Sequence, residues 1–161
     1  MQMLTMLRIC VCMMEITLRL LVLILLPLKT LHLTRCGSLK PMNNWVLPSL
    51  TSSYLRNVEF GDHISGFENL KEFTLSGCPD CFRDFEDDFT INCPNLERLA
   101  LGPDFSHCDM LVYTPKLSYF EFRSGHVPRF SAGDGFPCIK EVDIDIELRD
   151  NVKLIYSLSW T

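Results

Sequence analysis

The chain has no cluster of lysine and arginine. Its 161 residues carry 15 basic and 20 acidic side chains, a net charge of −5. Phosphate contacts need grouped cations, so a nucleic-acid partner is not expected. Long apolar runs are also missing. The longest, Leu20 to Leu28, has nine residues, whereas a membrane span needs about 20. No membrane span is therefore expected. No small-residue cleavage pattern follows that run, as a secretory signal would require. None of the four histidines, His32, His63, His107 and His126, lies in a G-x-S-x-G or H-E-x-x-H setting, so no catalytic residue is assigned and no enzyme is expected.

What the chain does have is apolar residues, 47% against 22% charged. That balance suits a folded core rather than disorder. It also has eight cysteines: Cys10, Cys12, Cys36, Cys78, Cys81, Cys93, Cys108 and Cys138. An even count fits a disulfide framework in a secreted protein. Cys78-Pro-Asp-Cys81, with Cys93 and His107-Cys108 downstream, suggests a zinc site, but no second C-x2-C accompanies it. A redox role would want Cys78 at a helix N-terminus, and here it follows a strand-like segment. No metal ligand or cofactor is assigned.

The main signal is an internal repeat. An apolar residue, two others, an apolar, one other and an apolar recur in order. The copies are Leu28-Lys-Thr-Leu31-His-Leu33, Leu55-Arg-Asn-Val58-Glu-Phe60, Leu70-Lys-Glu-Phe73-Thr-Leu75, Leu96-Glu-Arg-Leu99-Ala-Leu101, Leu117-Ser-Tyr-Phe120-Glu-Phe122 and Ile139-Lys-Glu-Val142-Asp-Ile144. Leu18-Arg-Leu-Leu21-Val-Leu23 is a candidate earlier copy. The last three positions alternate as a half-buried strand does. The steps are 27, 15, 26, 21 and 22 residues, four of them within the leucine-rich-repeat range. Turn-forming residues precede several copies: Pro27, Asn69, Pro94-Asn95, Pro115 and Pro137. Proline can open a strand but not sit inside one. Cys36 and Cys78 fall three residues after Leu33 and Leu75, where this repeat class often carries Asn or Cys.

The expectation is an α/β leucine-rich-repeat solenoid with a curved parallel sheet of about 6–7 short strands. Residues 1–16 are read as an apolar leading segment (a strand, a cap or a gene-model remnant), 17–147 as the repeats and 148–161 as a tail or partial repeat. An α+β domain with similar strands by chance is the alternative. Neither end shows a clear polar cap, so poor solubility of the isolated chain is expected.

Three segments resemble the repeats of plant F-box/LRR proteins: Pro27-Leu-Lys-Thr-Leu-His-Leu33, Asn92-Cys-Pro-Asn-Leu-Glu-Arg-Leu99 and Phe136-Pro-Cys-Ile-Lys-Glu-Val-Asp-Ile-Asp-Ile146. The resemblance runs from about residue 17 to 146. It implies repeats that capture a protein substrate for an SCF-type ubiquitin ligase, in the cytoplasm or nucleus. A segment resembling the F-box itself is absent, so docking on the SCF adaptor is not expected and a truncated member is. The alternative reading is a secreted or membrane-linked leucine-rich domain.

If the strand apolars face the core, their neighbours face the concave side. Thr30, His32, Thr34, Asn57, Glu59, Glu72, Thr74, Ser76, Arg98, Ala100, Tyr119, Glu121, Arg123, Glu141, Asp143 and Asp145 then line it. Among them His32, Glu72, Thr74, Arg98, Tyr119, Glu121, Arg123, Glu141, Asp143 and Asp145 are the candidate contacts for a protein or peptide. Its C-terminal end is acidic, which suits a basic partner segment, although a solvated strand face would look the same.

Overall fold

The computed structural model describes residues 6–10, 27–35, 47–58, 63–77, 89–102, 110–124, 130–131, 135–147 and 153–159. They form two sheets of a parallel β-solenoid. Among the described residues there are twelve strands: β1 Met6–Cys10, β2 Thr30–Thr34, β3 Ser52–Arg56, β4 His63–Ile64, β5 Glu72–Ser76, β6 Phe89–Asn92, β7 Arg98–Leu101, β8 Met110–Tyr113, β9 Tyr119–Ser124, β10 Phe130–Ser131, β11 Glu141–Glu147 and β12 Lys153–Ser159. The main sheet runs β1-β2-β3-β5-β7-β9-β11-β12, and the second β10-β8-β6-β4. Every pairing is parallel except β11 with β12. Seven parallel strands in the main sheet agree with the expected number. The expected α/β class does not find its helices: no helix occurs among the described residues.

Five coils enter the main sheet through the same four-residue turn. The amides of Leu50, Leu70, Leu96, Leu117 and Ile139 donate to the carbonyls of Leu47, Phe67, Cys93, Thr114 and Phe136, at 3.0–3.2 Å. Four of these five turns have proline second: Pro48, Pro94, Pro115 and Pro137. Proline presets the φ that this position needs. The next carbonyl then accepts two amides from the following coil. Thr51 O takes Lys71 N at 2.9 Å and Glu72 N at 3.1 Å, and Lys71 O takes Glu97 N at 2.8 Å and Arg98 N at 2.9 Å. Lys29, Glu97 and Ser118 carbonyls do the same. Turn side chains add rungs. Asn69 Nδ2 donates to Pro48 O and Asn95 Nδ2 to Glu68 O, both at 2.6 Å.

Strand exits stack too. Arg35, Asn57 and Gly77 all have positive φ, at 55°, 51° and 65°. At Gly77 a Cβ would meet the Asn57 side chain in a backbone conformation that L side chains rarely adopt, which favours glycine there.

The core lies between the sheets. One row is Leu31, Ser53, Phe73, Leu99 and Phe120, and a second is Leu33, Leu55, Leu75, Leu101 and Phe122. Leu28, Leu50, Leu70, Leu96 and Leu117 fill the turn side, and Ile64, Phe89, Ile91, Met110 and Val112 close it from the second sheet. Each such side chain contributes about 1.5–3 kcal/mol by leaving water. In the last coil Phe136, Ile139, Val142 and Ile144 are only partly buried.

One expected copy is corrected. The strand in the third coil is Ser52–Arg56, not a segment around Val58 to Phe60. Its core pattern is Leu50, Ser53 and Leu55. Ser53 breaks the apolar signature, so the motif slides five residues onto Leu55 and Val58. In the corrected register Leu28, Leu50, Leu70, Leu96, Leu117 and Ile139 are 22, 20, 26, 21 and 22 residues apart, and the anomalous short step disappears. Asn57 follows the strand in the turn, while Glu59 and Phe60 lie outside the described residues. The candidate copy at Leu18–Leu23 also lies outside them. The strand that does pair with β2 is Met6–Cys10, with Leu7 opposite Leu31 and Ile9 opposite Leu33.

Candidate functional site

The outward side of the main sheet is built by strand periodicity. Side chains alternate between core and open face, and parallel register stacks like positions into rows. The first row is Thr30, Ser52, Glu72, Arg98, Tyr119 and Glu141. The second is His32, Tyr54, Thr74, Ala100, Glu121 and Asp143. The third holds Thr34, Arg56 and Ser76, then Arg123 and Asp145. All ten expected contact residues, His32, Glu72, Thr74, Arg98, Tyr119, Glu121, Arg123, Glu141, Asp143 and Asp145, therefore share one face. Neighbouring strands are about 4.8 Å apart, so they spread over several coils.

Three residues on this face escape the sequence pattern: Ser52, Tyr54 and Arg56. They went missing with the slipped register. The signal that would have found them is Pro48-Ser-Leu50, which repeats the turn of the other coils. Tyr54 packs on His32 with ring centroids 5.5 Å apart and planes tilted by 41°. Beyond this pair, Thr74 and Ala100 are small, so the middle row dips across two strands before rising again at Glu121.

On the far side of the dip the side chains hold each other. The Arg98 guanidinium carbon sits 4.0 Å from the centre of the Tyr119 ring, a cation–π contact. Tyr119 Oη donates to Glu121 Oε2 at 3.0 Å. Arg123 Nε approaches Glu121 Oε1 at 2.8 Å. Burial, the hydrogen bond to Glu121, and the negative charges of Glu121 and Asp143 raise the Tyr119 pKa, with Arg98 opposing them. The phenol therefore stays protonated and fixed as a donor at neutral pH. Next to this chain stand Glu141, Asp143 and Asp145 on β11.

The second sheet presents less. Tyr113 is the large hydrophobic most open to solvent among the described residues, 45% exposed. Among the described residues no three His, Cys, Asp or Glu side chains lie close enough to hold a metal ion. Cys78, Cys81, His107, Cys108 and Asp84 to Asp88 lie outside them. Cys93 and Cys138 are free thiols, the first buried and the second exposed. The open face therefore offers recognition chemistry: carboxylates for cations, an ordered tyrosine, and a shallow dip beside the tilted His32–Tyr54 ring pair.

No known family model, curated protein or solved structure matches this chain.

Proposed function

We propose that this chain is a protein-binding module of leucine-rich-repeat type, and that a partner lies across the open face of the main sheet. One observation supports the reading above others: the parallel register gathers a pre-ordered Arg98–Tyr119–Glu121–Arg123 chain beside three carboxylates on a single exposed surface. Tyrosine and arginine held in place lose little entropy on binding and are frequent hot-spot residues. The corrected repeat steps of 20–26 residues support the leucine-rich assignment. The resemblance to F-box/LRR repeats suggests the role: capture of a protein substrate for an SCF-type ubiquitin ligase. No reaction is assigned to the chain itself, and no cofactor.

The acidic end of the face favours a partner segment rich in Lys or Arg. Fluorescence anisotropy with basic, neutral and acidic peptides tests this. The basic peptides should bind the native chain best. Combined Glu141→Lys, Asp143→Lys and Asp145→Lys should weaken them at least tenfold, as several lost charge contacts imply. Equal binding by native and charge-reversed chains would place the site elsewhere.

A further inference from the structure

The main sheet ends on β12, the strand that runs against all the others. No described strand pairs with its outer edge. Natural sheets protect such edges with proline, central charges, bulges or short length. β12 has no proline, no bulge and no charge beyond its first residue. It is seven residues long, Lys-Leu-Ile-Tyr-Ser-Leu-Ser, with its one charge at the first position, and it pairs with β11 without a bulge.

We propose that β12 is a self-pairing edge through which two copies of this chain join their main sheets, antiparallel, across a two-fold axis at Tyr156. Only that register pairs all seven residues. It sets Lys153 against Ser159 of the copy, Leu154 against Leu158, Ile155 against Ser157, and Tyr156 against itself. Within the chain Leu154, Tyr156 and Leu158 are opposite Ile146, Ile144 and Val142. The ladder register thus continues through the axis from one chain to the other. Aromatic cross-strand pairs favour such a ladder. The same coil holds the partly buried Phe136, Ile139, Val142 and Ile144, the least covered part of the core.

The opposite edge, β1, is less suited to the same pairing. A two-fold through the middle of Met6–Cys10 would put Arg8 directly against Arg8 of the copy. Like charges facing each other across a ladder repel. A β12-to-β1 contact would not close, and would build a fibre instead of a dimer.

Sedimentation of the full chain at tens of micromolar is the first test, with a species of twice the 18.6 kDa chain mass expected. Ser159→Lys tests the register. It creates two Lys–Lys oppositions across the axis and should raise the dimer dissociation constant about 2- to 30-fold. Within each chain it places a lysine opposite Glu141, which favours the β11–β12 pairing, so a lost dimer would not be lost folding. Adding Lys153→Glu together with Glu147→Lys, which keeps opposite charges facing each other within the β11–β12 pair, turns both oppositions attractive and should restore the dimer. A monomeric native chain, an open-ended ladder of species, or a dimer indifferent to these substitutions would each overturn the proposal.

Discussion

Ser53 is the residue that most disturbs this fold. Its register neighbours in the core row are Leu31 and Phe73, yet it carries a hydroxymethyl group and is 5% exposed. Beside it lies a cavity of about 10 Å³ for water-sized spheres, lined by Ser53, Leu55, His63, Ile64, Phe67, Leu70 and Phe73. That is room for about one water. Ser53→Val should fill part of it and stabilise the chain by about 1 kcal/mol. In a thermal melt that is a rise of about 2–4 °C. A fall would mean that the neighbours cannot yield. Cys93 gives a second residue-scale prediction. Burial pushes its thiol from 9.0 up to about 12. Above the ordinary value the unfolded chain loses a proton that the folded chain keeps. Stability is thus fully present below pH 9 and is lost as pH rises toward 12. The slope is about 1.4 kcal/mol per pH unit. Denaturant titrations between those limits should show a steeper decline in the native chain than in Cys93→Ala. Parallel declines would assign the alkaline loss to other groups.

At the scale of the element, the turn does more than the strand to define the coil. The strands are four to seven residues in the parallel main sheet and have little stability alone. What recurs faithfully is the closing hydrogen bond, the apolar residue that closes it, and the carbonyl that takes two amides from the next coil. Asn95 reinforces this in both directions. It donates to Glu68 O at 2.6 Å and accepts from Lys116 Nζ at 2.6 Å. Asn95→Ala should cost about 0.5–1.5 kcal/mol in urea unfolding, the net worth of a lost hydrogen bond, since water can take over the exposed Glu68 carbonyl. Asn95→Asp keeps the acceptor but loses the donor, so it should recover only part of that. The Lys71–Glu97 ion pair, 2.9 Å long, is about half exposed on both sides and adds little. Proline at the second turn position was readable in the sequence. Its role as the first corner of a coil depends on the hydrogen bond that Leu50 N donates to Leu47 O around Pro48.

Across the whole molecule, each coil touches mainly its neighbours, as in any solenoid. Stability should then be greatest where a coil has packed neighbours on both sides. β5 and β7 meet that condition, with fully buried core residues in their own and adjoining coils. The last coil does not, because Phe136, Ile139, Val142 and Ile144 stay partly open. Amide hydrogen exchange should therefore be slowest in β5 and β7 and faster in β11. Uniform protection across the main sheet would indicate a single cooperative unit instead. The open face follows the same one-dimensional logic: rings at one end, small residues between, carboxylates at the other.

The sequence by itself determined which residues face the core in five of the six copies read in it, that the main strands lie parallel in one sheet, and that the ten candidate contacts share its outer side. Strand alternation and repeat spacing are local properties, so they survive without coordinates. Only the tertiary structure decided the third coil, where Ser53 fills a leucine's place and Tyr54 and Arg56 join the face. The second sheet was decided there too: His63–Ile64, Phe89–Asn92, Met110–Tyr113 and Phe130–Ser131 start 26, 21 and 20 residues apart, like the main strands, but at two to four residues they are too short to stand out in the sequence and acquire their partners only by stacking. The reversal at β12 is of the same kind. Nothing in Lys153–Ser159 distinguishes a parallel strand from an antiparallel one; the direction comes from how the chain turns back onto the edge of β11.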